Sequence, residues 1–146
     1  MKQQQIHNTL SNKIGDKYAL NILVAEDNIF NQKLILTILK KIGFIPKLAK
    51  NGQEALELVQ EQDFDLIFMD IQMPKMDGLE ATRHIREMDI EQPKIIGVTA
   101  NALSKDRIRC IDAGMDDYIS KPFNLSELRE RIEKIAKEKH SLPTKI

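Results

Sequence analysis

The sequence is poor in cysteine and aromatic residues and carries no net charge. Its 146 residues include one cysteine, no tryptophan and only 5% aromatic residues. The single cysteine excludes an intrachain disulfide and any CxxC pair, so we infer a reducing, cytoplasmic location. The 22 basic and 22 acidic residues give no overall attraction to nucleic acid or to an anionic membrane.

Long apolar runs and nucleotide-binding motifs are also missing. No apolar stretch approaches the ~20 residues of a membrane span, and the polar start of the chain lacks the apolar block of a signal peptide. Neither GxGxxG nor GxxxxGK[ST] occurs, which argues against nucleotide cofactors. His7, His84 and His140 are scattered without metal-ligand spacing. The absences leave a globular domain that contacts neither nucleic acid nor membrane.

Short apolar runs alternate with helical patterns along the chain. Five runs bounded by turn residues predict buried strands, at 22–25, 44–49, 66–69, 95–98 and 118–119. Apolar residues at helical spacing follow each run, including Leu103, Ile108 and Ile111 after the fourth run. Asn51 with Glu54 and Asn124 with Glu127 predict capped helix starts. The alternation predicts an α/β fold with a parallel sheet and helices on both faces. We expect a polar tail or linker over 1–20, one domain over 21–139 and a C-terminal tail over 140–146.

Polar residues follow the predicted strands where each one ends. Glu26 and Asp27 follow the first strand, Asp70 the third, Thr99 the fourth and Lys121 comes just after the fifth. The carboxyl ends of parallel strands share one edge of the sheet, where ligands bind. Carboxylates gathered there would repel by about 4 kcal/mol per pair at an effective dielectric of 20. Mg²⁺, which prefers oxygen ligands, would neutralise them together with the lysine.

This set of residue types suits phosphoryl transfer. A carboxylate beside Mg²⁺ and a lysine is equipped to attack a phosphoryl group and become an acyl phosphate. Taken singly, each residue has an ordinary structural role: a strand-end carboxylate, a helix cap at Thr99, a surface turn at Lys121. Their joint placement on one predicted edge favours a site, with Asp70 as the reactive group.

Four motifs resemble the receiver domain of two-component response regulators: ILVAEDN at 22–28, MDIQMPKMDG at 69–78, VTA at 98–100 and KP at 121–122. The resemblance covers about residues 21–137. It implies a flavodoxin-like (βα)5 doubly wound sheet with strand order 2-1-3-4-5, which places the first and third strands side by side. Glu26 stands where many relatives have aspartate, a mild departure that leaves metal binding intact.

The resemblance also implies roles for the site residues. Asp70 would be the phosphoacceptor, taking its phosphoryl group from a histidine kinase or a histidine phosphotransfer domain. Lys121 would pair with the phosphoryl group, and the Lys121–Pro122 peptide bond would be cis. The implied magnesium ligands are three carboxylates and one backbone carbonyl, those of Glu26, Asp27, Asp70 and Gln72.

A second group of residues would act after phosphorylation. Thr99 and Tyr118 look like the switch pair, in which Thr99 moves to the phosphoryl group and the Tyr118 ring turns inward. The responding surface would be the fourth helix, fifth strand and fifth helix. Gln72 and Asn101 occupy positions that border the attacking water in this family, so we expect them to set the lifetime of the phosphoryl group.

Alternative functions remain at this point. A Mg²⁺-dependent phosphatase of the haloacid dehalogenase type would need an aspartate where Gln72 stands, and no substrate-capping domain is available. A receiver that binds partners without phosphorylation would not need the intact acidic set. We therefore expect a phosphoaccepting signalling module without independent substrate turnover. The sequence around its motifs is most like that of receivers in hybrid sensor histidine kinases, and a stand-alone receiver is the competing interpretation. We expect no DNA-binding output domain in this chain.

Overall fold

One parallel sheet carries the fold in the computed structural model, which describes residues 13–100 and 104–141. Its strand order is β2-β1-β3-β4-β5, so the predicted α/β class and the implied order are confirmed. The strands are β1 (Ile22–Ala25), β2 (Lys47–Ala49), β3 (Leu66–Asp70), β4 (Lys94–Thr99) and β5 (Asp117–Ser120). The helices between and after them are α1 (Ile29–Ile42), α2 (Gly52–Glu61), α3 (Gly78–Glu87), α4 (Ser104–Ala113) and α5 (Leu125–Ser141).

The central strands are buried because helices cover both faces of the sheet. Every residue of β1 and β3 is buried, as expected for strands in the middle of a parallel α/β sheet. Successive side chains point to opposite faces. Val24 and Phe68 therefore pack in the layer beneath α1 and α5, while Leu23 and Ile67 pack in the layer beneath α2, α3 and α4. No helix in the described residues is long and apolar enough to cross a membrane.

Polar caps set where the helices begin. The side chains of Asn28, Asn51 and Asp77 each accept a backbone N–H three residues further on, at 3.0, 2.8 and 2.8 Å. Asn124 does the same for α5 at 3.1 Å. Gly43 ends α1 with a φ of 110°, a conformation that glycine adopts without strain. The capping pairs predicted from the sequence are thus confirmed.

The segment just before β1 packs onto the domain, which the sequence did not predict. Ile14–Lys17 forms one helical turn, and Ile14 and Leu20 are buried in the layer beneath α1 and α5. A Cβ on Gly15 would lie 2.0 Å from the carbonyl oxygen of Gly43, so the two backbones touch. Residues 14–20, expected to belong to the polar tail or linker, therefore pack on the domain. Two separated apolar side chains give no periodicity that would predict this packing.

Several boundaries and apolar positions differ from the sequence prediction. Strand β2 begins at Lys47, not at residue 44, and α5 continues to Ser141. Ile108 and Ile111, counted in the apolar pattern of α4, are 59% and 49% exposed. This helix packs instead through smaller side chains, those of Cys110 and Ala113. Leu103, which belongs to the same predicted pattern, lies outside the described residues.

Replacing Gly78 with alanine should destabilise the fold. A Cβ at Gly78 would lie 2.1 Å from the carbonyl oxygen of Asp70, which is backbone and cannot rotate away. We expect Gly78→Ala to cost about 2–3 kcal/mol of unfolding free energy, as overpacking does, measured by urea denaturation. The exposed α3 residue Arg83 provides the control, since Arg83→Ala should change stability by less than about 0.5 kcal/mol. Equal stability of the two variants would contradict the close approach.

Candidate functional site

Three carboxylates meet at the carboxyl edge of the sheet. Parallel pairing of β1 with β3 puts Ala25 beside Met69, so the residues that follow, Glu26 and Asp70, emerge next to each other. Oxygen atoms of Glu26, Asp27 and Asp70 all lie within 4.8 Å of one another. Glu26 and Asp70 are buried and Asp27 is exposed at the mouth of an open cleft. The predicted convergence of these carboxylates is therefore present.

Lys121 supplies the positive charge of the cluster. Its Nζ lies 3.0 Å from Oδ2 of Asp70 and 3.1 Å from Oε1 of Glu26, reaching across the end of β4 from β5. The backbone N–H of Lys121 donates to the carbonyl of Thr99 at 2.8 Å, which fixes the start of that reach. The Lys121–Pro122 peptide bond is cis, as the resemblance implied.

The pKa values of Lys121 and Asp27 are both raised, which favours the charged form of the lysine and disfavours the charged form of the aspartate. Burial alone would lower the pKa of Lys121, but the hydrogen bond to Asp70 and the negative charges of Asp70 and Glu26 outweigh it and raise the pKa. The pKa of Asp27 is raised by burial and by its contact with Glu26. The folded domain therefore holds the lysine charged more firmly, and the Asp27 carboxylate less firmly, than the free side chains.

Glu26 is held in place from several directions. Its Oε2 accepts the backbone N–H of Asn28 at 3.0 Å, and the Gln32 amide donates to its backbone carbonyl at 2.5 Å. Its Oε1 is buried and receives no hydrogen bond within the part of the chain that the structure describes, although the ammonium of Lys121 is close. The ammonium is shared with Asp70, so this buried oxygen and the two further carboxylates form an all-oxygen set that suits a hard divalent cation.

The turn after β3 shapes the rim around Asp70. The backbone N–H of Gln72 donates to Oδ1 of Asp70 at 3.1 Å. Further along, Met76 N–H donates to the carbonyl of Pro74 at 2.7 Å, and Lys75 between them has a φ of 67°. A three-residue turn of this kind is strained for a residue with a side chain. The turn is anchored because Gly52 N–H donates to the carbonyl of Met76 at 2.9 Å.

Thr99 and Tyr118 lie on neighbouring strands behind the cluster. Thr99 is buried at the end of β4, and its hydroxyl donates to the Asp106 carboxylate of α4 at 2.7 Å. Tyr118 is half-buried and packs against the layer beneath α2, α3 and α4. Asn101 lies outside the described residues. The positions proposed for the switch pair thus lie on adjacent strands, with Tyr118 opposite Gly97, two residues before Thr99.

Sequence reasoning gave no role to Gln32, Asp106 or Arg109, although all three reach the site. Gln32 supports Glu26, Asp106 accepts from Thr99, and Arg109 lines the cleft. All three are polar residues near the starts of helices that begin at the carboxyl edge, Gln32 and Asp106 in the first turn and Arg109 one turn later. Placement at that edge is the signal that would have suggested them, but it depends on where α1 and α4 begin.

Removing the lysine should destabilise the metal-free domain at neutral pH. Lys121→Ala leaves Glu26 and Asp70 buried without their cation, which we expect to cost about 2 kcal/mol of unfolding free energy, less than a fully buried pair because Lys121 is partly exposed. Folding raises the pKa of Lys121, so its contribution is complete below the ordinary value of about 10.4 and is lost only above it. Urea titration in chelator measures the loss at pH 7.

The same loss should shrink at acid pH, where the carboxylates bind protons and no longer need the cation. Lys33, exposed on α1, provides the control, because Lys33→Ala removes a positive charge that is exposed to solvent, unlike the largely buried ammonium of Lys121. Wild-type stability of Lys121→Ala at pH 7 would show that the lysine does not balance the cluster.

Comparison with known proteins places this geometry in a family. The sequence pattern of the response regulator receiver domain matches residues 22–133. Hybrid signal transduction histidine kinase K of Dictyostelium discoideum is 44% identical over 138 residues, which cover 89% of this chain and 11% of that protein. The chain thus spans about a tenth of the length of this curated relative.

Two solved structures share the fold. The receiver domain of the Saccharomyces cerevisiae response regulator Ssk1, co-crystallised with the histidine phosphotransfer protein Ypd1, is 33% identical with a TM-score of 0.78, over 84% of this chain and 92% of that one. The receiver domain of the Pseudomonas aeruginosa sensor histidine kinase PA1611, with magnesium in its active-site cleft, is 41% identical with a TM-score of 0.73, over 80% and 96%. With the acidic cluster, the lysine and the strand order in place, the chain belongs to the response regulator receiver domain family.

Proposed function

We propose that Asp70 is the phosphoacceptor of this receiver domain. One observation carries the proposal: the two oxygens of the Asp70 carboxylate are held separately, Oδ1 by the N–H of Gln72 and Oδ2 by the ammonium of Lys121. A carboxylate oriented in this way at the floor of an open acidic cleft can meet an incoming phosphoryl group without reorganising. Glu26 makes a comparable pair of contacts, with the N–H of Asn28 and the ammonium of Lys121. The resemblance to receiver domains separates the two, because it assigns Glu26 to the metal and Asp70 to the phosphoryl group.

The reaction is a transfer between two nucleophiles. A carboxylate oxygen of Asp70 forms a bond to phosphorus as the bond from phosphorus to the donor nitrogen breaks, which leaves an acyl phosphate. Phosphoryl transfer depends mainly on positioning and charge stabilisation. The N–H of Gln72 fixes the carboxylate. The ammonium of Lys121 contacts Oδ2 of Asp70 before the transfer and the phosphoryl oxygens after it. Thr99 then donates its hydroxyl to the phosphoryl group.

Mg²⁺ is the proposed cofactor. The carboxylates of Glu26, Asp27 and Asp70, with the carbonyl of Gln72, would hold it, because Mg²⁺ prefers oxygen ligands and oxygens of the three carboxylates lie within 4.8 Å of one another. When bound, the ion supplies positive charge that neutralises the carboxylates and the phosphoryl oxygens. The PA1611 receiver, similar in sequence and fold, contains magnesium in its active-site cleft, which supports the same ion here.

The proposed output is a change in the face formed by α4, β5 and α5, through Thr99 and Tyr118. Two features support this face. Ile108 and Ile111 are exposed on α4, and Arg131 of α5 is paired with Asp117 of β5 at 2.7 Å, so that the strand and the helix share a polar contact. We expect movement of Thr99 toward Asp70 to change the conformation of this apolar surface, which a protein target can bind.

The proposed phosphodonor is a histidine kinase or a histidine phosphotransfer protein, and the wider context is a hybrid kinase. The support is the similarity to hybrid histidine kinase K and to the Ssk1 receiver, which was crystallised with Ypd1. A stand-alone receiver is the competing context.

Gln72 and Asn101 are the residues that we propose to set phosphoryl lifetime. We place the chain in the cytoplasm, where its lone buried thiol, Cys110, would stay reduced.

An independent hydrolase is not proposed. The family match gives no support to the alternative of a haloacid-dehalogenase phosphatase, and Gln72 occupies the place where that chemistry needs a second aspartate. The turnover that we assign to the chain is limited to gain and loss of its own phosphoryl group.

Asp70→Asn should abolish phosphorylation. Incubation of the wild-type chain with phosphoramidate and Mg²⁺ should add one phosphoryl group, stable in acid and removed by hydroxylamine, as intact-mass spectrometry would show. Asn lacks the anionic oxygen, so the variant should gain no mass. Asp77→Asn is the matched control, because Asp77 lines the same cleft and asparagine keeps the α3 cap. Full labelling of Asp70→Asn would refute the proposed phosphoacceptor.

Asp27→Asn should have opposite effects with and without Mg²⁺. Without metal, removal of one carboxylate relieves repulsion, and the raised pKa of Asp27 means that its charge opposes folding at pH 7. The variant should therefore melt at a higher temperature than wild type in chelator. Mg²⁺ should raise the melting temperature of the variant less than that of wild type, because the variant should bind the ion at least about tenfold more weakly. Asp77→Asn again serves as control, and an unchanged Mg²⁺ response of Asp27→Asn would exclude Asp27 as a ligand.

A further inference from the structure

The hydroxyl of Thr99 is engaged by helix α4. Thr99 is 1% exposed, and its Oγ1 donates to Oδ2 of Asp106 at 2.7 Å. Asp106 lies in the first turn of α4, and its side chain is 19% exposed. A hydroxyl donating to a carboxylate at this distance makes one of the stronger hydrogen bonds of proteins. The bond therefore holds the Thr99 side chain toward α4.

We propose that Asp106 is a positioning residue that holds Thr99 in its unphosphorylated arrangement and so sets how readily the phosphorylated form is reached. This inference rests on the proposed function, in which Thr99 donates to the phosphoryl group on Asp70. A hydroxyl has a single proton to donate. The bond to Asp106 must therefore break when Thr99 turns to the phosphoryl group, and its strength opposes the switch.

Asp106 has a second partner that makes this release feasible. Nη1 of Arg109, one turn further along α4, lies 3.6 Å from Oδ1 of Asp106. When Thr99 leaves, Asp106 still faces this guanidinium, so its carboxylate is not left buried without a counter-charge, which would be costly. The first turn of α4 thus loses a tether to β4 while keeping its internal ion pair. Ile108 and Ile111, exposed on the same helix, connect that loss to the proposed output face.

The test compares affinities for beryllofluoride, a phosphoryl mimic, at saturating Mg²⁺. Dissociation constants come from ¹⁵N–¹H NMR titrations of the whole chain. Asp106→Ala should bind beryllofluoride about tenfold more tightly than wild type, equivalent to about 1.4 kcal/mol, because the competing hydrogen bond is gone. Asp106→Asn, which keeps the shape and a weaker acceptor, should fall between the two and remains informative if the alanine variant folds poorly.

A double-mutant cycle separates positioning from a general effect on α4. If Asp106 acts through Thr99, Asp106→Ala should have no effect on affinity in a Thr99→Ala background. Asp112→Ala, an exposed carboxylate on the same helix, should match wild type. The inference is overturned if Asp106→Ala binds like wild type, or binds more tightly in both backgrounds. Failure of wild type to bind beryllofluoride at all would instead count against the proposed function.

Discussion

Like charges held together against their repulsion are the constraint on which this structure depends. Three carboxylates within 4.8 Å of one another repel by about 3–4 kcal/mol per pair at an effective dielectric of 20. Their sum is about 10 kcal/mol, comparable with the whole stability of a small domain. The sheet forces the carboxylates together through the pairing of β1 with β3, and Lys121 offsets part of the cost. A cation or an incoming ligand with the right charge meets a site that is already assembled.

Much of this could be predicted because it depends on strand ends. Asp70 and Lys121 each follow an apolar run, so their place at one edge follows from the alternation of strands and helices alone. The capping residues were readable for the same reason, since Asn51 and Asn124 act on backbone three residues away. Which strands are neighbours was not readable from periodicity, and came from the resemblance to receiver domains.

The features that were missed depend on how a helix is rotated and packed. Ile108 and Ile111 have the spacing of a core face, yet α4 packs through Cys110 and Ala113 because the sheet approaches closely there. A Cβ on Gly97 would lie 2.5 Å from the sulfur of Met115 and 3.0 Å from that of Cys110, so β4 needs a glycine where these two side chains pack against it. The same rotation brings Asp106 to Thr99. A pattern of apolar residues gives the period of a helix but not the depth of the groove that receives it.

The lysine that reaches from β5 to β3 also has a meaning for the order in which the site is made. The hydrogen bond from Lys121 to Asp70 joins residues 51 positions apart in the chain. During synthesis the three carboxylates leave the ribosome first, and the cation that balances them emerges only with the last strand. A chain short of β5 therefore contains the acidic residues without their partner. The site can therefore accept a phosphoryl group with its charges balanced only after β5 has been added at the edge of the sheet.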